Sequence, residues 1–170
     1  MYLPIMVTAF CGLRRGETAA LEVEDFDKQR RVVHIHKNMV DSPDGGWIIK
    51  EPKTEDGDRF IPVPQCVIDA LPESGRITDL NPGKITHRFI VISKQLNLPE
   101  GISFHSLRHY TTSVKLMLGE NDLVIRKEMG WSEKDFQEMK EIYGHTVEGH
   151  EYSEKSCEYF DSMTRNMTRK

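Results

Sequence analysis

Apolar residues recur at near-helical spacing near the start of the chain, at Leu3, Ile5, Met6, Ala9 and Phe10. Gly12 follows them, and glycine often ends a helix because it adopts the left-handed backbone at little cost. The pattern therefore predicts a helix over residues 3–11 and a second helix over residues 15–22. Both would present an apolar face to a core.

The next part of the chain is typical of strands. Residues 31–36, 46–50 and 59–63 are rich in β-branched and aromatic side chains, and residues 41–45 and 55–58 between them favour turns. We expect these three segments to form a small antiparallel sheet of three strands.

Helical signals return after the predicted sheet, over residues 64–71 and 82–96. Asn81 is a suitable cap for the second of these helices, since Pro82 would then occupy the first helical position. Ser103 is a candidate cap for the helix that carries residues 105–109, which we expect to end near Gly119.

The remaining pattern is also helical. Asn121 is placed to cap a short helix that stops at Gly130, and Ser132 to begin another that runs toward Tyr143. Residues 149–167 are polar with an intermittent apolar stripe, which indicates a helix that needs a partner surface. The fold class is therefore α+β, mainly helical, with one domain over residues 1–170.

Composition narrows the setting of the protein. The 170 residues are 38% apolar, and no stretch is long and apolar enough to cross a bilayer. The three cysteines are far apart and lack the spacing of a zinc site or a disulfide framework. We expect a soluble intracellular protein that is not associated with a membrane.

Charge at first argues against a DNA partner, because the formal net charge is −4. The charge is unevenly distributed, however. Residues 84–131 carry seven basic against four acidic side chains, whereas residues 132–160 carry three against eight. This distribution leaves room for a local surface that binds anions.

Five short motifs follow one another along the chain: CGLRRGE (residues 11–17), PKT (52–54), HSLRH (105–109), GWS (130–132) and YGH (143–145). Their order and spacing resemble the catalytic domain of the tyrosine recombinases, the family of the phage-type integrases. The resemblance covers nearly the whole chain and implies the catalytic-domain fold of that family.

The resemblance assigns phosphate contacts to Arg14 and Arg108, whose guanidinium groups offer a rigid fork to two oxygens and keep their charge. Lys53 would be the general acid for the leaving oxygen, with Lys50 as the competing candidate. Arg15 is the neighbour most easily mistaken for Arg14. If the resemblance failed, Arg14 would simply pair with Glu17 on the surface of a helix.

His105 would assist proton movement at the nucleophile, and Trp131 would donate its indole N–H to a non-bridging oxygen. A metal site is the rival interpretation, because His105 and His109 stand four residues apart. A third ligand would then have to come from His34, His36, His145 or His150. On the recombinase interpretation there is no metal and no cofactor.

Tyr143 matches the nucleophile of the family, and Tyr152 and Tyr159 are the alternatives. The interval from Trp131 to Tyr143 is a few residues longer than the family usually shows. Glu17, His109 and His145 would hold the reacting groups in place.

The resemblance implies a site-specific recombinase or integrase of a phage or conjugative element, which acts on double-stranded DNA through a 3′-phosphotyrosyl intermediate. It also implies a location in the bacterial cytoplasm, in association with DNA. The alternatives are a nicking-closing enzyme like the type IB topoisomerases and a non-catalytic DNA-binding protein. The family further implies a homo-tetramer on DNA with exchange of the carboxy-terminal helix, and a monomer or weak oligomer when free. We also expect a fragment that lacks the amino-terminal DNA-clamping domain and the first catalytic-domain helix.

Overall fold

The computed structural model describes residues 1–52, 57–143 and 154–167, and side chains in these ranges except those of 140–143, 154, 155, 166 and 167. The described α-helices are α1 (Tyr2–Cys11), α2 (Arg15–Ala20), α3 (Gln65–Asp69), α4 (Pro82–Gln95), α5 (Ser106–Met117), α6 (Asp122–Met129), α7 (Glu133–Tyr143) and α8 (Glu154–Met167), and Val23–Asp25 forms a short 3-10 helix. The described strands are β1 (Phe26–Asp27), β2 (Val32–Ile35), β3 (Asn38–Asp41), β4 (Trp47–Lys50) and β5 (Arg59–Pro62).

The helix boundaries follow the capping signals. Gly12 ends α1 in the left-handed conformation at φ 69°, and Gly130 ends α6 at φ 59°. The side chain of Asn81 accepts the backbone N–H of Lys84 at 2.8 Å, and that of Asn121 accepts the N–H of Leu123 at 2.9 Å. These predicted ends are confirmed.

Ser103 does not cap α5 with its side chain, contrary to the prediction. The helix begins at Ser106, and His105 occupies the capping position with a helical backbone. The carbonyl oxygen of Ser103 accepts the backbone N–H of Ser106 at 3.0 Å, so a tight turn precedes the helix and replaces the side-chain cap.

The expected antiparallel sheet of three strands is present, but its membership differs from the prediction. Its order is β1-β2-β5, with Val33 opposite Ile61. The predicted strand at residues 46–50 pairs with β3 in a separate hairpin. The sequence pattern missed β1 and β3, because β1 is only two residues long and β3 opens with Asn38, a residue that rarely favours strands.

Two buried clusters hold the body together. One joins α1 to the sheet and α3, and the other joins α2 to the β3–β4 hairpin and α4. The hairpin approaches α2 closely at Gly16, where an added Cβ would lie 2.1 Å from Oδ1 of Asn38. A third cluster around α6 contains Met129, Trp131 and Phe136.

The last helix, α8, packs on the body of its own chain. Phe160 is fully buried and stacks on Phe10 of α1 with the ring centroids 4.7 Å apart. Asp161 accepts the backbone N–H groups of Gln65 and Cys66 at the start of α3. This surface is the partner that the intermittent apolar stripe of the sequence required.

Within the part of the chain that the structure describes, no helix has the length and apolar character needed to cross a membrane.

Candidate functional site

Three arginines converge on the carboxy-terminal end of α6. Arg59 donates from Nε to the carbonyl oxygen of Glu128 at 2.7 Å, Arg108 donates from Nη2 to the carbonyl of Met129, and Arg14 donates from Nη2 to the carbonyl of Gly130 at 2.6 Å. We call Arg14, Arg59 and Arg108 the arginine cluster. The last carbonyls of a helix lack partners within it and carry partial negative charge, so cations stabilise this end.

The left-handed turn at Gly12 places Arg14 at this site, because it separates α1 from α2 and leaves Arg14 extended at the start of α2. Glu17, one turn later, accepts the backbone N–H of Arg14 at 2.8 Å and its Nη1 at 3.0 Å. The side chain of Arg14 remains 40% exposed. Arg14 is thus held from two sides and is still accessible to a ligand.

Arg59 is the member of the cluster that the sequence analysis missed. Its Nη1 and Nη2 lie 3.0 and 2.9 Å from the two carboxylate oxygens of Glu17, and both side chains are buried. Arg59 and Ile61 share one face of β5, and Ile61 and the following Val63 lie in the core. The alternation of the strand therefore signalled a buried arginine that needs a partner.

Glu17 joins Arg14 to Arg59 as a shared carboxylate. Burial alone would raise the pKa of Glu17, but hydrogen bonds and attraction from Arg59 and Arg14 lower it to about 2. The carboxylate is therefore ionised at neutral pH, and it offsets part of the repulsion within the arginine cluster.

Arg108 lies deeper than Arg14. Only 1% of it is exposed, and its Nη1 donates to the carbonyl of Gly12 at 2.6 Å. Burial, with repulsion from Arg14 and Arg59, lowers the pKa of Arg108 to about 9, so it keeps its charge at neutral pH. The structure therefore distinguishes the two predicted phosphate ligands, Arg14 facing outward and Arg108 lying behind it.

Trp131 covers the guanidinium of Arg108, whose Cζ lies 5.0 Å from the centre of the indole ring. The turn at Gly130 places it there, with the backbone N–H of Trp131 donating to the carbonyl of Arg126 at 3.1 Å. The indole also packs against Phe136. Trp131 therefore belongs both to the core and to the site, as the sequence allowed.

His105 and His109 meet edge to face, with their ring centroids 4.6 Å apart. Burial lowers the pKa of His105, and repulsion from His109, Arg108, Arg14 and Arg15 lowers it further. The pKa of His109 is also lowered, by burial and by Arg108. Near neutral pH both imidazoles are therefore largely uncharged and His105 is able to accept a proton.

The surroundings of the described histidines bear on the metal interpretation. Within residues 1–52, 57–143 and 154–167, no group of three or more His, Cys, Asp and Glu side chains is arranged to hold a metal ion. His34 pairs with Asp58 at 2.8 Å, and His36 pairs with Asp25 at 2.9 Å. These two third-ligand candidates are engaged in the sheet region; His145 and His150 lie outside the described residues.

Other predicted site residues are described only in part. Lys53 and His145 lie outside the described residues, as does the alternative Tyr152. Tyr143 is the last residue of α7, and the description there covers its backbone alone. The competing Lys50 is exposed on β4, and Tyr159 lies beside Phe160 on α8.

A cavity of about 580 Å³ opens beside the arginine cluster. Arg14, Arg15 and His105 contribute basic groups to its lining, and Trp47 and Phe104 contribute apolar surface. Arg15 donates from Nη1 to the hydroxyl of Thr86 at 2.7 Å on this side of the molecule. The lining also contains the carboxylate of Asp41. Two guanidinium groups against this one carboxylate leave an excess of positive charge, which suits an anion.

Comparison with known proteins found similarity in sequence to a transposase and similarity in structure to integrases and a recombinase. No protein-family model matches the chain. The transposase from transposon Tn916 of Enterococcus faecalis is 32% identical over 62 residues, which is 36% of this chain and 15% of that protein. The matched segment is thus a small part of this curated relative.

Three solved structures share the architecture. The Tn1549 transposon integrase in complex with transposon right end DNA has a TM-score of 0.72 at 21% identity, covering 99% of this chain and 58% of that one. XerA recombinase has a TM-score of 0.63 at 18% identity, covering 88% and 59%. The catalytic domain of bacteriophage HP1 integrase has a TM-score of 0.54 at 22% identity, covering 87% and 76%.

Proposed function

We propose that this chain, which has the fold of the tyrosine recombinase catalytic domain, breaks and rejoins DNA strands at specific sites through a 3′-phosphotyrosyl intermediate. The observation that carries the proposal is the meeting of Arg14, Arg108, His105 and Trp131 on one side of the molecule. These residues come from three separate motifs of the sequence. Together they offer positive charge, an N–H donor and a proton acceptor to a bound phosphodiester.

Arg14 is the group best placed to contact the scissile phosphate. It is held by Glu17 and by the carbonyl of Gly130, yet much of its surface is exposed. Arg108 supplies a second positive charge close behind it. Charge that develops on the non-bridging oxygens in the transition state is stabilised by such fixed cations, since they need no reorganisation during the reaction.

Trp131 and His105 have distinct tasks in the proposed reaction. The indole N–H of Trp131 donates to a non-bridging oxygen and cannot shuttle a proton. His105 is largely uncharged at neutral pH, because its pKa is lowered by burial and by its cationic neighbours. It therefore acts as the acceptor for the proton that the nucleophile releases.

The proposed covalent step needs only residues of this chain to supply the nucleophile and the proton for the leaving group. The phenol oxygen of Tyr143 attacks phosphorus and forms a phosphotyrosyl bond, the bond from phosphorus to the 5′ oxygen breaks, and Lys53 gives that oxygen its proton. The phosphotyrosyl ester conserves the energy of the broken bond. Attack by the 5′ hydroxyl of another strand reseals the DNA and releases the tyrosine.

Trapping on a nicked DNA substrate tests this proposal. After cleavage such a substrate releases the short fragment that carries the new 5′ hydroxyl, so resealing is prevented, and the covalent adduct accumulates and is counted on a denaturing gel. We expect adduct with the wild-type chain and none with Tyr143→Phe, while the matched variant Tyr159→Phe retains it. An adduct that persists in Tyr143→Phe would place the nucleophile elsewhere, and binding with no adduct in the wild type would favour a non-catalytic DNA-binding protein.

We further propose that four copies assemble on DNA and exchange α8. The helix carries an apolar face and a polar attachment, with Phe160 on Phe10 and Asp161 at the start of α3. Identical copies present the same receptor, so an exchanged helix would make the same contacts. Light scattering with and without DNA tests this: a monomer alone and a tetramer on paired sites support the proposal, and a monomer in both conditions contradicts it.

A further inference from the structure

A second buried ionic cluster lies at the carboxy-terminal end of α6, around the side chain of Glu128. The amino group of Lys115 lies 2.9 Å from Oε2 of Glu120, 2.8 Å from Oε2 of Glu128 and 3.1 Å from the hydroxyl of Ser156. We call these four residues the lysine cluster. All four are buried, which makes their mutual bonding important because an unpaired charge at such a place is costly.

Three elements meet in the lysine cluster. Lys115 belongs to α5, Glu128 belongs to α6, and Ser156 belongs to the first turn of α8. The backbone N–H of Ser156 donates to Oε1 of Glu120 at 3.2 Å. A carboxylate is favoured near the amino-terminal end of a helix, so α8 contributes both a hydrogen bond and a favourable dipole to Glu120.

Glu128 connects this cluster to the candidate active site. Its side chain binds Lys115, and its backbone carbonyl accepts Nε of Arg59 at 2.7 Å. The next two carbonyls, of Met129 and Gly130, accept Arg108 and Arg14. The backbone of residues 128–130 is therefore held by the arginine cluster through its carbonyls and by the lysine cluster through the side chain of Glu128.

We propose that the lysine cluster positions the carboxy-terminal end of α6, so that seating of α8 at Ser156 sets the geometry of the arginine cluster and of Trp131. The proposal rests on the function proposed above for its effect on catalysis, but the effect on geometry is independent of that function. The partner in this coupling is α8, either of the same chain or of a second copy.

The physical reason is the cost of leaving the cluster incomplete. Burial alone would lower the pKa of Lys115, but Glu128 and Glu120 outweigh burial and raise it, so the lysine stays charged beside two carboxylates. When α8 leaves, Glu120 loses an N–H donor and Lys115 loses a hydroxyl. The remaining ions then rearrange or admit water, and Glu128 moves with them.

The experiment uses Trp131 as a reporter of the arginine cluster. The chain has two tryptophans, so Trp47→Phe leaves Trp131 as the single indole, under which Arg108 lies. In this background we compare Ser156→Ala and Glu128→Gln with the matched control Ser162→Ala, an exposed serine of the same helix. Indole emission and the rate of covalent adduct formation are measured for each variant, with DNA affinity measured separately.

We expect Ser156→Ala and Glu128→Gln to shift the emission of Trp131 and to slow adduct formation by about 3- to 30-fold, the usual size of coupling along such a network. DNA affinity should change less than the rate does, and Ser162→Ala should match the background. Should Glu128→Gln fail to fold, Ser156→Ala decides, since it removes only one hydroxyl.

Unchanged emission in both cluster variants, whatever their thermal stability, would overturn the proposal and leave the lysine cluster a purely structural feature. An emission shift with no change in the rate of adduct formation would also overturn it, because the arginine cluster would then keep its catalytic geometry although the surroundings of Trp131 had changed. If the unaltered chain forms no adduct, the function proposed above fails, and the emission measurement still decides whether α8 controls Trp131.

Discussion

Arg14 and Arg108 donate to adjacent carbonyl oxygens of the backbone, those of Gly130 and Met129. The two arginines are 94 positions apart in the sequence and come from different helices, yet the end of α6 brings them together. Had the two arginines lain on opposite sides of the molecule, they could not have contacted the same phosphate. Because both bind the end of α6, we propose that they serve one anion site.

Replacement of Arg14 tests the exposed member of the pair. A lysine at this position keeps the charge but cannot bind both Glu17 and Gly130 while presenting a fork to phosphate. We expect Arg14→Lys to lower the rate of adduct formation by roughly a hundred- to a thousand-fold, as for loss of one donor to a developing oxyanion. Single-turnover kinetics on the nicked substrate measures this.

The control for Arg14→Lys is Arg15→Lys, which changes the neighbouring arginine on the exposed face of α2. Arg15 binds only Thr86 among the described hydrogen bonds, so its variant should stay within about threefold of the wild type, because surface polar contacts are weak. Equal losses in the two variants would contradict the assignment of Arg14.

Removal of Arg59 should act mainly on stability. The variant Arg59→Met leaves the buried carboxylate of Glu17 with Arg14 as its remaining guanidinium partner, and breaking a buried ion pair in this way costs about 3 to 5 kcal/mol. Urea unfolding measures the loss. Arg30→Met, which removes an exposed arginine, is the control and should be within about 0.5 kcal/mol of the wild type.

Acid should unfold the protein partly through Glu17. Its pKa falls from an ordinary 4.5 to about 2 on folding, so its contribution is complete above pH 4.5 and is lost as the pH drops toward 2. The contribution amounts to about 3 kcal/mol. We therefore expect the free energy of unfolding, measured with urea between pH 2 and 6, to fall as the pH falls, and to fall less in Glu17→Gln. An equal dependence on pH in both proteins would contradict the prediction.

The pH dependence of cleavage should report His105. Its pKa is lowered from 6.5 by burial and by neighbouring cations, so the uncharged imidazole dominates above a pH that lies below 6.5. If His105 accepts the proton of the nucleophile, the rate should rise with pH through that value and then level off. In His105→Asn this rise of the rate with pH should disappear. A rise that persists in His105→Asn would show that another group titrates.

The motifs predicted Arg14, His105, Arg108 and Trp131 as site residues. The capping residues predicted where α1 ends, where α4 begins, and where α6 begins and ends. Arg59 was missed because it stands outside every motif, although its alternation with the apolar Ile61 on β5 marked it as buried. Glu128 and Lys115 carried no local signal, since their pairing depends on how α5 packs against α6. The pairing of β4 with β3 depended in the same way on contacts made across the fold.

Mass spectrometry of the trapped DNA complex tests the central claim most directly, because it locates the covalent bond on the chain. After nuclease and protease digestion, we predict a nucleotide attached to the peptide that contains Tyr143, and its absence when Arg14 and Arg108 are both replaced by alanine. A nucleotide on any other residue, or an adduct that forms equally well without the two arginines, would contradict the account.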